Sequence, residues 1–148
     1  MKPDPSTVLD GVSATLIVDV IPHIATSYGQ QALAGCATLL AAAREEIDRG
    51  VARRVEENHA LRCLFADARS VVADAELTAR LAEAAAGEEG SLLVSDLDVA
   101  NRALRALLLR LHVHVEGLPG EAARRVEAAI WQELRASTER RRSVLGNF

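Results

Sequence analysis

The segment SDLDVANRALRALLLRLHVHVEGL, residues 95–118, decides the fold class of this 148-residue chain. Ser95 followed three residues later by Asp98 is close to a capping box, and Gly117 and Pro119 supply a stop. Between these signals the apolar residues recur every three or four positions and form one helical stripe about 100° wide. The stripe consists of Leu97, Ala100, Leu104, Leu107, Leu108, Leu111, Val115 and Leu118. The segment therefore predicts an amphipathic helix that packs lengthwise against other helices.

The N-terminal residues predict another helix with the same spacing of apolar residues. Ser6 or Thr7 is expected to cap it, because a hydroxyl can accept a hydrogen bond from a free amide of the first turn. Pro22 is expected to kink or end it, since proline has no backbone N–H to donate. Gly29 is placed in the connection that follows.

The next segment predicts an unusually long helix over about residues 30–72. The break signal inside it is Gly50, which costs about 1 kcal/mol relative to alanine in a helix. We expect a helix that is kinked there but near-continuous. Its predicted inward residues are Leu33, Cys36, Leu40, Ile47, Val51, Val55, Phe65, Ala68 and Val72.

Two shorter patterns complete the fold prediction. Asp74 caps a helix over residues 75–86, and a last helix covers about residues 121–145. No segment shows the alternation of β-branched residues that is typical of a strand. The sequence predicts an all-α fold, an antiparallel bundle of four to five helices with one long helix, in a single domain over residues 1–148.

Charge and motifs exclude several classes of function. A net charge of −4 does not provide the basic surface that nucleic acid or an anionic membrane requires. Lys2 is the single lysine, so a Walker phosphate loop and a Schiff-base enzyme both lack their lysine. The nucleophile-elbow, dinucleotide-binding, Cys-x-x-Cys and His-Glu-x-x-His motifs do not occur. We expect no catalytic residues and no cofactor.

The aspartates near the N-terminus and the two cysteines indicate the cellular compartment of the protein. Asp10 and Asp19 interrupt the first twenty residues, so neither a secretory signal nor a membrane-spanning helix is expected. Cys36 and Cys63 lie roughly 40 Å apart if one helix carries both, which is too far for a disulfide. Free thiols are typical of a reducing compartment, and we expect a cytoplasmic protein.

A polar group falls on the inward face of the long helix. Asn58 lies near the middle of the stripe with Arg54 and Arg62, and His59 lies at its edge. Because buried polar groups need partners, these residues predict a polar layer or groove and, as a function, a pocket for a small anion. In the alternative, the helix rotates past Gly50 or the long side chains extend to solvent.

Two residue pairs have the spacing of metal ligands. Glu56 and His59 lie three residues apart, and His112 and Glu116 lie four apart, so each pair shares a helical face. Ferritin-like di-iron bundles use Glu-x-x-His twice with two further glutamates, whereas here it occurs once. The four residues are candidate metal ligands, and the alternative is a solvated helix face with local ion pairs.

The segment of residues 95–118 also carries a second apolar face. Val99, Ala106, Leu109 and Val113 lie largely away from the main stripe, where a surface helix is normally polar. Either this helix is central and covered on two sides, or the second face is a contact surface in an oligomer.

The first fifty residues contain three further stretches of note. They are Val-Ile-Pro-His-Ile over residues 20–24, an alanine-rich helix over 31–40, and Arg-Glu-Glu-Ile-Asp-Arg-Gly over 44–50. This layout resembles a family of uncharacterised bacterial all-helical proteins found beside acyl-CoA dehydrogenases and small-molecule phosphotransferases. The resemblance implies a bacterial accessory role near acyl-CoA metabolism and supplies no catalytic residues.

These observations lead to two expected functions. The first is a non-catalytic accessory or interaction protein that self-associates as a homodimer. The alternative is a helical bundle that binds a metal or a small anionic, acyl-CoA-type molecule. Another protein or a small anion is a further expected partner, and nucleic acid and membrane are not.

Overall fold

Residues 4–142 are described by a computed structural model of the protein. They form five α-helices and no strand, and this confirms the predicted all-α helical bundle. The helices are α1 (Pro5–Thr15), α2 (Ser27–Ala68), α3 (Ala75–Ala86), α4 (Val94–Glu116) and α5 (Glu121–Arg141). After α1 the chain continues through a π-helical turn, Leu16–Val20, and a 3-10 turn, Ile21–His23.

The start of α1 differs from the prediction. Asp4 is the N-cap instead of Ser6 or Thr7, and its carboxylate accepts a hydrogen bond from the Thr7 amide at 3.2 Å. Pro5 occupies the first helical turn. Backbone N–H groups there have no acceptor within the helix, so a proline costs no hydrogen bond. The last helical turn ends one residue after Pro22, as that proline predicts.

Helix α2 starts earlier than predicted and has no break. Gly29 lies in its first turn and not in the connection, because Thr26 caps the helix. The Thr26 hydroxyl accepts from the Gly29 amide at 3.2 Å, and the Thr26 carbonyl accepts from the Gln30 amide at 3.0 Å. The helix runs through Gly50 for 42 residues, as expected for a near-continuous helix, and ends at Ala68.

The later helices follow their predicted order. Helix α3 has the predicted bounds, and the Asp74 carboxylate caps it by accepting from the Leu77 amide at 2.8 Å. Helix α4 begins at Val94, so the prediction that Ser95 is its cap is wrong; the N-cap is Leu93, without a side-chain hydrogen bond. The predicted end of α5 near residue 145 lies outside the described residues.

Residue contacts divide the described chain into two compact units, and α2 contributes to both. One contains residues 4–50 with Arg142, and the other contains Val51–Arg141. The single domain expected from the length of the chain stays a prediction.

The first unit is a hairpin made by α1 and the first half of α2. The Ser13 hydroxyl donates to the Ala37 carbonyl at 3.5 Å, and Arg44 pairs with Asp10 at 3.0 Å. Ala37 is the one buried apolar side chain among residues 4–50. This part of the described chain therefore has no hydrophobic core of its own.

The second unit is a four-helix bundle made by the second half of α2 with α3, α4 and α5. Short connections join consecutive helices, which places neighbours antiparallel. Its core consists of Leu61, Phe65, Ala68, Val72, Leu77, Leu81, Leu104, Leu108, Leu111, Val115, Ala123, Val126 and Ile130.

The inward face predicted for α2 is correct in its second half and wrong in part of its first half. Phe65 and Ala68 are buried, but Cys36 and Ile47 are exposed. The reason is that, among the described residues of the first unit, α1 covers α2 on the side that carries Ala37. The spacing of apolar residues identifies the face of a helix that is stabilised by burial. It does not identify the helix that packs against that face.

By length and composition alone, the helical segment Pro5–His23 is able to cross a membrane, although it contains Asp10 and Asp19. A single helix of this kind near the N-terminus is weak evidence, since signal sequences pass the same test. The expectation of no membrane partner stays a prediction.

We predict that Phe65→Ala lowers the free energy of unfolding by about 3–5 kcal/mol, because Phe65 is fully buried and its loss leaves a cavity. Leu93→Ala removes an exposed side chain and should cost under about 1 kcal/mol. Urea denaturation followed by circular dichroism measures both. Equal losses for the two variants would contradict the assigned core.

Candidate functional site

A buried carboxylate, that of Glu57 on α2, organises a polar cluster inside the second unit. Glu57 is 3% exposed. Arg141 of α5 donates to both of its oxygens, with Nε to Oε2 at 3.0 Å and Nη2 to Oε1 at 2.9 Å. Arg105 of α4 donates from Nη1 to Oε1 at 2.5 Å and to the Ser137 hydroxyl at 3.1 Å. One carboxylate thereby connects three helices.

Two asparagines extend this cluster into the core. Asn101 donates to the Asn58 side-chain oxygen at 2.9 Å and accepts from Arg141 at 3.2 Å. Asn58 is completely buried, and its Nδ2 has no hydrogen-bond partner among the described residues. The polar layer predicted around Asn58 is therefore present, and its atoms bind mainly one another.

The surroundings shift two carboxyl pKa values in opposite directions. Burial alone would raise the pKa of Glu57, but hydrogen bonds from Arg105, Arg141 and Asn101 outweigh it and hold that pKa below its ordinary value. Burial raises the pKa of Glu133, and the attraction of Arg140 offsets this only partly. Glu57 thus stays ionised at neutral pH.

This arrangement is suited to holding helices together and not to proton transfer. A general base needs a pKa near the working pH and access to a substrate proton. The Glu57 carboxylate has a lowered pKa, and two guanidinium groups occupy its oxygens. A single ionic layer of this kind fixes which helices are neighbours and in what register.

The residues predicted to form an anion pocket have separate partners. Arg54 donates to Asp98 at 2.6 Å, and the hydrogen bond from Arg54 is the main reason why the pKa of Asp98 is lowered. Arg62 donates to the Ala84 carbonyl at 3.0 Å and to Glu89 at 3.2 Å.

The remaining two predicted pocket residues differ from each other. Asn58 is buried in the polar layer, and His59 is exposed, with Nε2 3.5 Å from the Cys63 sulfur. An anion would have to displace carboxylates from Arg54 and Arg62, so the pocket stays a prediction.

The structure brings one of the two predicted metal pairs together with a third carboxylate. His112 Nε2 lies 3.5 Å from Glu116 Oε1, and Glu127 of α5 joins them, with the ligand atoms within 4.8 Å of one another. The other pair, Glu56 and His59, is exposed on α2 and does not belong to this group.

The His112 ring is held from a second side. Trp131 meets it edge-on, with ring centroids 5.2 Å apart. His112 Nε2 is buried without a hydrogen-bond partner among the described residues. Packing therefore orients the ring, and its Nε2 lies beside two carboxylates.

The second apolar face of α4 is open to solvent. Val99, Ala106, Leu109 and Val113 are all exposed, Leu109 by 64%. This contradicts the interpretation in which other described residues cover α4 on both sides, and a contact role for these four residues stays a prediction.

Sequence reasoning missed five residues of the polar cluster and one carboxylate of the histidine group. Asn101 gave a usable signal, because it interrupts the leucine stripe of α4 between Leu97 and Leu104. Glu57 and Glu127 gave none, since their partners come from other helices. The missed cluster residues are Glu57, Asn101, Arg105, Ser137 and Arg141.

Comparison with protein families, with curated proteins and with solved structures finds no match for this chain. The resemblance of the first fifty residues to a bacterial family therefore stays a prediction.

We predict that Glu57→Gln lowers the free energy of unfolding by about 3 kcal/mol at pH 7, because two arginines lose a buried carboxylate. Since the folded-state pKa of Glu57 is lowered, its stabilisation is present above the ordinary glutamate pKa and is lost as pH falls through the folded value. The difference between wild type and variant should shrink from pH 6 towards pH 3.

Glu76→Gln is the matched control for this measurement. Glu76 also pairs with two arginines, Arg80 and Arg110, but its side chain is 67% exposed. Its replacement should cost under about 1 kcal/mol at every pH. If the two variants show the same loss and the same pH dependence, the role given to Glu57 is wrong.

Proposed function

We propose that this chain is a non-catalytic helical protein that acts through protein contacts, the first of them with a second copy of itself. The observation that carries the proposal is the hairpin of α1 and the first half of α2, in which Ala37 alone is a buried apolar side chain. An isolated helix as short as α1, with 11 residues, is marginal in water, and most helical stability comes from packing an apolar face. A hairpin without a core therefore needs cover from outside.

The composition of the exposed surface supports the same proposal. The described chain exposes apolar side chains on both units, including Leu39 on α2 and Leu109 on α4. Exposed apolar patches on water-soluble proteins commonly mark contact sites. The buried ionisable group of the second unit, Glu57, binds its own arginines, which favours a structural role over a catalytic one.

Sedimentation equilibrium of the purified chain tests self-association. We expect a species of twice the 15.8 kDa chain mass at micromolar concentration, with helical content that decreases on dilution. A monomer that keeps its full helical signal at millimolar concentration would refute the proposal.

A second candidate function, binding of a divalent metal, is favoured by the group of His112, Glu116 and Glu127. Zinc accepts one histidine nitrogen with carboxylate oxygens at about 2.0–2.2 Å and takes a fourth ligand from water. The ligand atoms already lie within 4.8 Å of one another, so small side-chain rotations would close the site. Glu127 comes from α5, and a bound ion would therefore link α4 to α5.

Titration with zinc chloride, followed by calorimetry, tests this candidate. We expect binding by the wild type and at least about a tenfold weaker affinity for His112→Ala and for Glu127→Gln. His59→Ala removes an exposed histidine outside the group and should leave the affinity unchanged. Wild-type protein that binds no zinc, or an equal loss in the His59 variant, would eliminate the candidate.

A further inference from the structure

The first half of α2 carries an exposed stripe without charge. Its residues recur every three or four positions, cover about 100° of the helix surface and are all exposed. They are Tyr28, Ala32, Gly35, Cys36, Leu39 and Ala43. Tyr28 is 82% exposed and Leu39 is 71% exposed, which is unusual for large apolar side chains on a helix that packs on its other side.

This stripe is separate from the face that α1 covers. Leu33, Ala37 and Leu40 lie about 110° around the helix from its centre, at 100° per residue. In a four-helix bundle each helix meets two neighbours on adjacent faces of this kind. Helix α1 fills one of the two positions within the first unit, and the stripe marks the other.

Large and small residues are placed along the stripe so that, in an antiparallel pair of stripes, large residues lie opposite small ones. If two copies of α2 lie antiparallel about an axis between Gly35 and Cys36, Tyr28 lies opposite Ala43 of the other copy. By the same spacing Ala32 lies opposite Leu39. Large side chains therefore meet small ones along the contact, as close helix packing requires. In a two-fold symmetric contact each pair of facing residues occurs twice, once on each side of the axis. Two-fold symmetry is the usual symmetry of homodimers.

The charges of the hairpin favour a protein partner over a membrane. Asp10 of α1 pairs with Arg44 of α2 at 3.0 Å, so burying α1 in lipid would take an ion pair with it. Residues 44–49 of α2 add further charges beside the end of the stripe. The uncharged stripe ends before these charged groups and lies on one side of the helix, which suits a protein contact.

The hairpin exposes further large apolar side chains besides those of the stripe. The hairpin exposes seven large apolar side chains by 44% to 82%, namely Val8, Val12, Ile17, Val18, Tyr28, Leu39 and Ile47.

We propose that residues 28–43 of α2 pair antiparallel with the same residues of a second copy, about a two-fold axis beside Cys36, so that two hairpins form an intermolecular four-helix bundle. This inference rests on the proposed self-association and adds its surface and its symmetry. The inference assigns the dimer contact to the stripe of α2 and not to the second apolar face of α4. Replacing one exposed leucine on each face, Leu39 and Leu109, therefore tests it directly.

Sedimentation of Leu39→Glu and Leu109→Glu makes this comparison. Both leucines are exposed, by 71% and 64%, so both variants should fold with wild-type helical content. Leu39→Glu buries an unpaired charge at the proposed contact and should raise the dimer dissociation constant by about 100-fold or more. Leu109→Glu should leave the constant within about threefold of wild type.

Cross-linking in the folded protein provides a second measurement that needs no disruptive variant. Cys36 and Cys63 are both free and exposed, but only Cys36 lies beside the proposed axis. Mild oxidation, or a short bis-maleimide, should give a covalent dimer in wild type and in Cys63→Ala. The dimer band should be absent in Cys36→Ala.

The outcomes separate the inference from the proposed function. A wild-type chain that is monomeric at high concentration overturns both. A wild-type dimer that survives Leu39→Glu, or that cross-links through Cys63 and not Cys36, keeps self-association and overturns this surface. Dissociation by Leu39→Glu together with the Cys36 cross-link supports it.

Discussion

The continuity of α2 is the constraint on which the rest of the structure depends. Because the helix does not break at Gly50, its 42 residues contribute to both compact units. Its second half is enclosed by α3, α4 and α5, which bury Leu61 and Phe65 almost completely. Its first half packs against α1, and its one buried apolar side chain among the described residues is that of Ala37. The need for cover therefore falls on the N-terminal half, and we propose that a second copy meets it.

The ionic layer around Glu57 has a different consequence: it selects one register for the packing of helices within the second unit. Leucine and alanine stripes pack in several registers at similar free energy, whereas one carboxylate with two arginines has a single good geometry. Glu57 on α2 meets Arg105 of α4 and Arg141 of α5, so it sets the alignment of three helices at one level. Arg105 and Arg141 are engaged by Glu57 in this role. The anion pocket expected around Arg54 and Arg62 stays a prediction.

The sequence allowed prediction of the helices and of the polar layer, because both follow from periodicity. Asn58 falls on the inward face by spacing alone, and the structure buries it. The partners of Asn58 were not predictable, since Asn101 lies 43 residues further along the chain and only the packing of α4 brings the two together. The same holds for Glu127 beside His112. Cys36 was assigned inward for a related reason: an apolar stripe has the same pattern whether its own chain or another copy covers it.

The central claim is that the first half of α2 is held by a second copy and the second half by its own chain. Hydrogen exchange followed by mass spectrometry, at concentrations above and below the dimer dissociation constant, measures this for each segment. The account predicts that peptides within residues 28–47 lose protection on dilution, while peptides within residues 60–68 keep theirs. Equal protection of residues 28–47 at all concentrations would contradict it.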